Sequence, residues 1–129
     1  MKIKVMVVSN GELTAKEVDN TLETFQDMVG GYIEMPLLSK TLKQHNIDIV
    51  INDEGKFIEG LRPEIAVVGK GTNAVLDVVY GNCIFVGHDN VGNATELTDE
   101  QVQIIMKELE VSAMLNDKGK DFLVKVLLV

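Results

Sequence analysis

The residue with the most specific chemistry in this sequence is Arg62, the only arginine among 12 cationic side chains. It lies in the segment Gly60-Leu61-Arg62-Pro63-Glu64. A guanidinium presents a planar fork of donors that binds a phosphate or a carboxylate at two points, which lysine cannot do. Arg62 is therefore a candidate for binding an anion. The alternative interpretation is an exposed arginine beside a proline turn.

A second candidate for anion binding is the stretch Gly69-Lys70-Gly71-Thr72, which follows an apolar run. It does not match the Walker pattern, because Lys70 precedes the second glycine and a strand is predicted after it instead of a helix. Its backbone N–H groups could still contact a bound anion. Aromatic, amide and acidic residues near the ends of predicted strands complete the candidate ligand-binding set, namely Tyr32, Glu34, Asn73, Tyr80, Asn82 and His88.

Residue pairs that would support catalysis are not evident in the sequence. His45 and His88 are the only histidines, and neither has a metal-ligand spacing to the other or to an acid on a helix. Cys83 and His88 are five residues apart in a predicted strand, so their side chains should point to opposite faces. We therefore expect Cys83 to be a small buried hydrophobe, and the protein to have no enzymatic activity, metal or cofactor.

Length and charge restrict the possible functions further. A chain of 129 residues is predicted to form a single domain, residues 1–129. A net charge of −8 without clusters of lysine or arginine argues against direct binding to nucleic acid. No apolar run approaches the length that crosses a membrane. We therefore expect a cytoplasmic protein.

Two amphipathic helices are predicted. The first covers about residues 15 to 29, because Thr14 and Glu17 form a capping-box pattern and apolar residues follow at helical spacing. The second covers about residues 99 to 110, where Thr98-Asp99-Glu100-Gln101 repeats the capping pattern.

A glycine pair should end the first helix, with Gly30 in a left-handed C-cap. In the strand that follows, Tyr32 and Glu34 share one face, whereas Ile33 and Met35 are predicted to face the core. The glycine break therefore places Tyr32 and Glu34 together on one side, where a ligand would be expected.

The remaining apolar runs predict strands, and the order of elements predicts the α+β class. We expect a mostly antiparallel sheet with the two amphipathic helices packed on it. The predicted strands cover residues 3–8, 32–38, 47–51, 56–58, 65–68, 75–86 and 122–129.

The order of five short motifs resembles an uncharacterised domain family of bacteriophages, plasmids and conjugative elements. The motifs are Val29-Gly30-Gly31-Tyr32-Ile33-Glu34, Asp53-Glu54-Gly55-Lys56, Leu61-Arg62-Pro63, Cys83 to Gly87, and Leu97-Thr98-Asp99-Glu100-Gln101. The resemblance covers about residues 20 to 110, and members usually carry Asn where this chain has Glu64. Residues 111–129 would then be an extra strand that completes a sheet or a subunit contact. The resemblance implies a small accessory protein of a mobile element that acts inside a bacterium.

These observations favour a non-catalytic binding protein with a counter-defence role, which sequesters a nucleotide-type signalling molecule in a pocket at loops or between subunits of a homo-oligomer. Arg62 and the backbone amides near Gly69 would hold phosphate, and Tyr32 or Tyr80 would stack on a base. Asn73, Asn82 or His88 would form hydrogen bonds with the base.

The alternative hypothesis is an acidic inhibitor or DNA mimic that binds a host defence protein. It depends on three acidic residues at successive i,i+4 steps of the first predicted helix, namely Asp19, Glu23 and Asp27. Such like-charge neighbours cost about 0.2–0.5 kcal/mol per pair, which a binding role would explain.

Overall fold

The computed structural model describes residues 1–129 as two β-sheets and three α-helices. The strands are β1 (Lys2–Ser9), β2 (Glu12–Asp19), β3 (Ile33–Glu34), β4 (Ile47–Asn52), β5 (Pro63–Val68), β6 (Val75–Tyr80), β7 (Cys83–His88), β8 (Ala94–Thr95), β9 (Ser112–Asp117) and β10 (Lys120–Leu128). The helices are α1 (Leu22–Val29), α2 (Lys40–Gln44) and α3 (Asp99–Glu108), and a 3-10 helix covers Gly55–Phe57. The predicted α+β class is confirmed.

The first sheet has six strands in the order β2-β1-β7-β4-β3, with β8 also paired to β7, and all of its pairs are antiparallel. The second sheet has four strands in the order β6-β5-β10-β9. Its central pair, β5 with β10, is the one parallel pair of the fold. The predicted antiparallel character is therefore confirmed, but the strands divide between two sheets.

The main core lies between the two sheets. A cluster of 14 buried residues joins side chains of both, such as Phe85 of β7 and Ile65 of β5, with Leu42 of α2 and Ile105 of α3. A second cluster of eight buried residues lies on the other face of the first sheet, where Phe25 and Val29 of α1 cover it. The first sheet is thus covered on both faces, which explains why β1 and β7 are almost continuously apolar.

The first helix begins later than predicted. Residues 15–19 belong to β2, which pairs along its whole length with β1 through a tight turn at Asn10 and Gly11. The N-cap of α1 is Thr21, whose hydroxyl accepts a hydrogen bond of 3.2 Å from the N–H of Thr24. Prediction of Thr14 as the cap was wrong because an Asn-Gly pair favours a hairpin, and the eight-residue ladder outweighs one capping pattern.

The predictions for the ends of two helices are confirmed. Gly30 ends α1 in the left-handed conformation, with φ +81° and ψ 25°. Thr98 and Gln101 form a reciprocal capping box at the start of α3. These features depend on residues within one turn of each other, and the sequence therefore specifies them directly.

Two of the predicted strands are mostly not strands. Within residues 32–38 only Ile33–Glu34 pairs with β4, and Met35 is 59 % exposed instead of facing the core. Helix α2, capped by the Ser39 hydroxyl, follows this segment and was not predicted. Residues 56–58 lie at the 3-10 helix and its end.

The two C-terminal apolar segments contain more strands than predicted. Residues 75–86 form β6 and β7, which belong to different sheets and are separated at Gly81 and Asn82. Residues 111–129 form a hairpin of β9 and β10 in place of a single strand. A continuous apolar run does not reveal where a chain leaves one sheet for another, because both sheets present apolar faces to the same core.

Replacing Gly11 by Ala should destabilise the fold far more than replacing Gly30 by Ala. Both glycines have a positive φ, but a Cβ on Gly11 would lie 2.7 Å from the Leu123 carbonyl oxygen, whereas a Cβ on Gly30 would meet nothing within 4 Å. We expect losses of about 3 kcal/mol or more for Gly11→Ala and about 1–2 kcal/mol for Gly30→Ala, measured by urea unfolding. Equal losses would show that the contact at Gly11 is unimportant.

Candidate functional site

A buried carboxylate, Glu64, joins the two sheets next to the candidate site. Glu64 has no partner on β6, because the register shifts between Pro63 and Ile65, and such a bulge redirects a side chain. Its side chain is only 3 % exposed. Its oxygens accept hydrogen bonds of 2.9 Å from the N–H groups of Asn10 and Gly11 in the β1–β2 turn. The charge of Glu64 is thereby held between the first and second sheets.

The anion that Arg62 binds in this structure is Glu64 itself. One guanidinium nitrogen, Nη1, donates to Glu64 Oε1 at 3.0 Å and to the Pro63 carbonyl at 3.2 Å. The other, Nη2, donates to the Leu123 carbonyl of β10 at 2.7 Å. The guanidinium carbon also lies 5.5 Å from the centre of the Phe122 ring. Arg62 is therefore held in place by the protein, with a fixed positive charge.

Arg62 and Tyr80 line the same cavity, which has a volume of about 290 Å³. We call it the basic pocket. It lies between the 3-10 helix, the adjoining ends of β5 and β6, and the β9–β10 turn. Besides these two residues it is lined by Lys56, Ile58, Gly60, Leu61, Asp117, Lys118, Lys120 and Phe122. Four cationic side chains and one carboxylate thus line the pocket, but Arg62 is paired with Glu64 and Lys56 with Asp77. Lys118 and Lys120 are in no ion pair, so they are the cations that can attract an anion into the pocket.

Tyr80 forms the wall of the basic pocket opposite the β9–β10 turn. Its hydroxyl donates a hydrogen bond of 2.9 Å to Asp117 Oδ1. Burial, followed by the hydrogen bond and the negative charge of Asp117, raises the pKa of Tyr80 above its ordinary value of 10.0. The phenol is therefore neutral at physiological pH, and it offers an aromatic surface with a fixed hydroxyl.

A neighbouring groove of about 280 Å³ shares Lys56 and Tyr80 with the basic pocket. Glu34 lies on the wall of this groove, and Asp77 forms an ion pair of 2.5 Å with Lys56. The ring of Phe57, also on the wall, is 87 % exposed. The two cavities thus bring Arg62, Tyr80 and Glu34, three of the predicted ligand-binding residues, into one continuous region.

The other predicted ligand-binding residues lie elsewhere. Tyr32 is 75 % exposed and borders a shallow depression beside the end of α1. Asn73 occupies a turn with φ +56°. Asn82 donates a hydrogen bond of 2.9 Å to the Met28 carbonyl, which fixes α1 to the β6–β7 turn. None of the three lines the basic pocket.

The predicted anion loop uses most of its amides internally. The N–H groups of Gly69 and Thr72 donate to Ala74 and Gly69 carbonyls, and that of Lys70 donates to the Val129 carbonyl. The hydroxyl of Thr72 accepts from the N–H of Ala74. The loop is therefore an ordered turn, and it does not present a row of free donors to an anion.

His88 lies in an open polar depression on the first sheet. Its Nδ1 is 3.2 Å from Asp48 Oδ1, and Lys43 Nζ approaches the same oxygen at 3.4 Å. Cys83 is fully buried in the main core, as predicted, and burial together with the nearby Glu64 charge raises the pKa of its thiol. The two side chains do not form a nucleophile and base pair.

The acidic row predicted on the first helix is broken. Asp19 is the last residue of β2, where it forms an ion pair of 3.4 Å with Lys2. Glu23 and Asp27 are both on α1 and are exposed. The prediction of three acids on one helix face was therefore wrong, because the helix begins only at Leu22.

This chain matches a known protein family over most of its length. Residues 1–110 match a domain of unknown function, DUF3846. The chain belongs to this family. The match begins at Met1, earlier than the motifs alone indicated, and it ends just before β9. No curated protein and no solved structure matches the chain. The expectation of an uncharacterised family is confirmed.

The DUF3846 domain supplies only part of the basic pocket. Lys56, Arg62 and Tyr80 lie within the matched residues, whereas Asp117, Lys118, Lys120 and Phe122 lie in the hairpin beyond them. Sequence reasoning missed the three lysines. Lys118 and Lys120 lie beside Arg62 because β10 pairs in parallel with β5, and local sequence patterns do not reveal that pairing. No helix has both the length and the apolar character needed to cross a bilayer.

Substitutions of Arg62 and Glu64 should have strongly coupled effects on the free energy of unfolding. Glu64→Ala leaves two backbone N–H groups without an acceptor and the guanidinium without its anion, and Arg62→Ala leaves a buried carboxylate without its cation. We expect each to cost about 3–5 kcal/mol, and the double variant to cost much less than the sum. Urea unfolding of the four proteins measures the coupling. Additive losses would contradict a direct interaction.

The raised pKa of Tyr80 makes a prediction about stability at high pH. The folded state favours the neutral phenol, so this contribution is complete below pH 10 and is lost as the pH rises through the folded-state pKa. Wild type should therefore lose stability more steeply than Tyr80→Phe between about pH 9 and pH 12. Urea unfolding of both proteins across this range tests it, and parallel curves would contradict the assignment.

Proposed function

We propose that this protein binds a small anionic ligand of the nucleotide type in the basic pocket, without chemical turnover. One observation carries the proposal. The chain has a net charge of −8, yet four of its 12 cationic side chains line a single cavity together with two aromatic rings. Surface lysines scattered for solubility would not be expected to converge in this way.

Each group in the basic pocket has a distinct role in this proposal. The ammonium groups of Lys118 and Lys120 bind the phosphates as mobile point charges, and Lys56 joins them by exchanging its partner Asp77 for a phosphate oxygen. Arg62, which is held by Glu64 and Leu123, contributes a positive charge whose position is fixed. Tyr80 provides the surface on which a base stacks.

The dimensions of the site agree with a nucleotide. Small-molecule sites commonly have volumes of about 300–1,000 Å³, and the basic pocket together with the groove beyond Lys56 and Tyr80 falls within that range. In the groove, the carboxylate of Glu34 is available as an acceptor for sugar hydroxyls or base amino groups, whereas Asp77 is already paired with Lys56. We propose that phosphates occupy the basic pocket and that the nucleoside extends into the groove.

The biological role that we propose is counter-defence by a bacteriophage or another mobile element. A binding protein that withholds a nucleotide-type immune signal needs a specific site and no catalytic group. Asp117 is the one carboxylate of the basic pocket, and it is already bonded to the Tyr80 hydroxyl. The resemblance to proteins of mobile elements supports this setting.

The alternative proposal, an acidic surface that binds a host defence protein, has less support. It relied on three acids in one row, of which only Glu23 and Asp27 share a helix. Both functions predict binding that weakens as the salt concentration rises. They differ in the residues that bind: those of the basic pocket in the first case, and Glu23 and Asp27 on α1 in the second.

Binding of nucleotides should depend on Lys56 and Lys120. We expect Lys56→Ala and Lys120→Ala each to weaken the affinity of the preferred nucleotide about tenfold or more, because each removes one charged contact to phosphate. Isothermal titration calorimetry with nucleoside mono-, di- and triphosphates and cyclic dinucleotides makes the measurement. Lys70→Ala is the matched control, since Lys70 is an exposed lysine outside the pocket.

Two results would refute the proposal. The first is no saturable binding of any of these nucleotides by wild type, together with no nucleotide recovered by mass spectrometry from protein that was exposed to lysate of defence-activated cells and then heated. The second is equal affinity of wild type, Lys56→Ala and Lys120→Ala. Capture of a defence protein that is lost in a Glu23→Gln/Asp27→Asn variant would favour the alternative.

A further inference from the structure

Strand β9 leaves one of its edges open. It pairs with β10 on one side and lies at the end of the second sheet. The Val111 carbonyl accepts a hydrogen bond of 2.9 Å from the N–H of Val126, and residues Asp117 and Lys120 close the hairpin around the two-residue turn Lys118–Gly119. The odd-numbered residues of β9 therefore bond to β10. The even-numbered ones, Ser112, Met114 and Asn116, direct their backbone groups away from the sheet.

The other sheet edges are protected against pairing with a further strand, whereas the edge of β9 is not. Four of the eight residues of β2 are charged, namely Glu12, Lys16, Glu17 and Asp19. The edge of β6 has the 3-10 helix and the ion pair of Lys56 with Asp77 beside it, and β3 and β8 have only two residues each. Residues 112–116 contain neither a charge nor a proline, and Met114 is 64 % exposed. Such an edge is a template for another strand.

We propose that β9 pairs antiparallel with β9 of a second copy of this chain, with Met114 on the two-fold axis. An antiparallel pair across such an axis places residues of the same sheet face opposite each other. Met114 then lies opposite its own copy, Ser112 opposite Asn116, and Ala113 opposite Leu115. All three outward-directed residues find partners in this one register, and they form about six backbone hydrogen bonds.

A second copy is favoured over an unrelated strand because the segment is complementary to itself. A two-fold interface brings a surface patch against the same patch, so any charge within it would meet a like charge. Each copy carries −8, yet no charged side chain lies within residues 112–116. The result is a continuous sheet of eight strands across the dimer. The contact involves about five residues from each chain, which is typical of a weak, concentration-dependent association.

The Met114→Cys variant tests the register directly. Residues in a hydrogen-bonded antiparallel pair have Cα atoms about 5.5 Å apart, which suits a disulfide. We expect rapid formation of a covalent dimer under oxidised glutathione. The native Cys83 does not interfere, because it is fully buried. The matched control is Leu123→Cys, which is 46 % exposed and lies opposite Met114 on β10, one strand further from the axis.

A Met114→Pro variant tests the association without a crosslink. The Met114 N–H points outward, so proline removes a donor to the second copy but none to β10. Sedimentation velocity from about 10 μM to 1 mM should show wild type shifting towards dimer, while Met114→Pro stays monomeric with the same circular dichroism spectrum. The proposal is overturned if Met114→Cys crosslinks no faster than Leu123→Cys, or if wild type remains monomeric throughout.

Discussion

The arrangement of the two sheets depends on the hydrogen bonds and the ion pair that the Glu64 carboxylate forms. It is buried beside the main core and holds three donors at once: two amides of the β1–β2 turn and the guanidinium of Arg62. A buried charge with fewer partners would be costly, so the turn and the arginine must keep their positions for the fold to be stable. Because the turn belongs to the first sheet and Glu64 to the second, one side chain fixes their relative placement.

This network also determines what the candidate site can do. Arg62 has its strongest available acceptor within the protein, and it holds β10 through the Leu123 carbonyl. The β9–β10 turn, with its two lysines, follows from that placement, and the basic pocket lies between them. The positive charge of the pocket therefore depends mainly on Lys118 and Lys120, because Arg62 is paired with Glu64 and Lys56 with Asp77.

The hairpin of β9 and β10 adds two properties to the DUF3846 domain that precedes it. Its turn supplies part of the basic pocket, and its outer strand, β9, supplies a sheet edge that is open to pairing. Both follow from the parallel pairing of β10 with β5, which inserts the C-terminal strand into the middle of the second sheet. The proposed ligand site and the proposed dimer contact thus lie on the same hairpin but use different parts of it.

The sequence alone determined the features that depend on neighbouring residues. The left-handed C-cap at Gly30, the capping box at Thr98 and the burial of Cys83 each follow from spacing within a few positions, and the structure contains all three. The class of the fold also follows, because helical and strand periodicities differ along the chain.

Tertiary structure decided the features that need a partner distant in sequence. Thr14 is in a strand because β1 pairs with its segment, and Met35 is exposed because only two residues of its segment join the sheet. Arg62 binds Glu64 because a bulge turns that carboxylate inward, and two of its lysine neighbours, Lys118 and Lys120, belong to a hairpin about 60 residues later in the chain. Local patterns specify caps and periodicity, whereas the pairing of strands and the burial of charge depend on the free energy of the whole core.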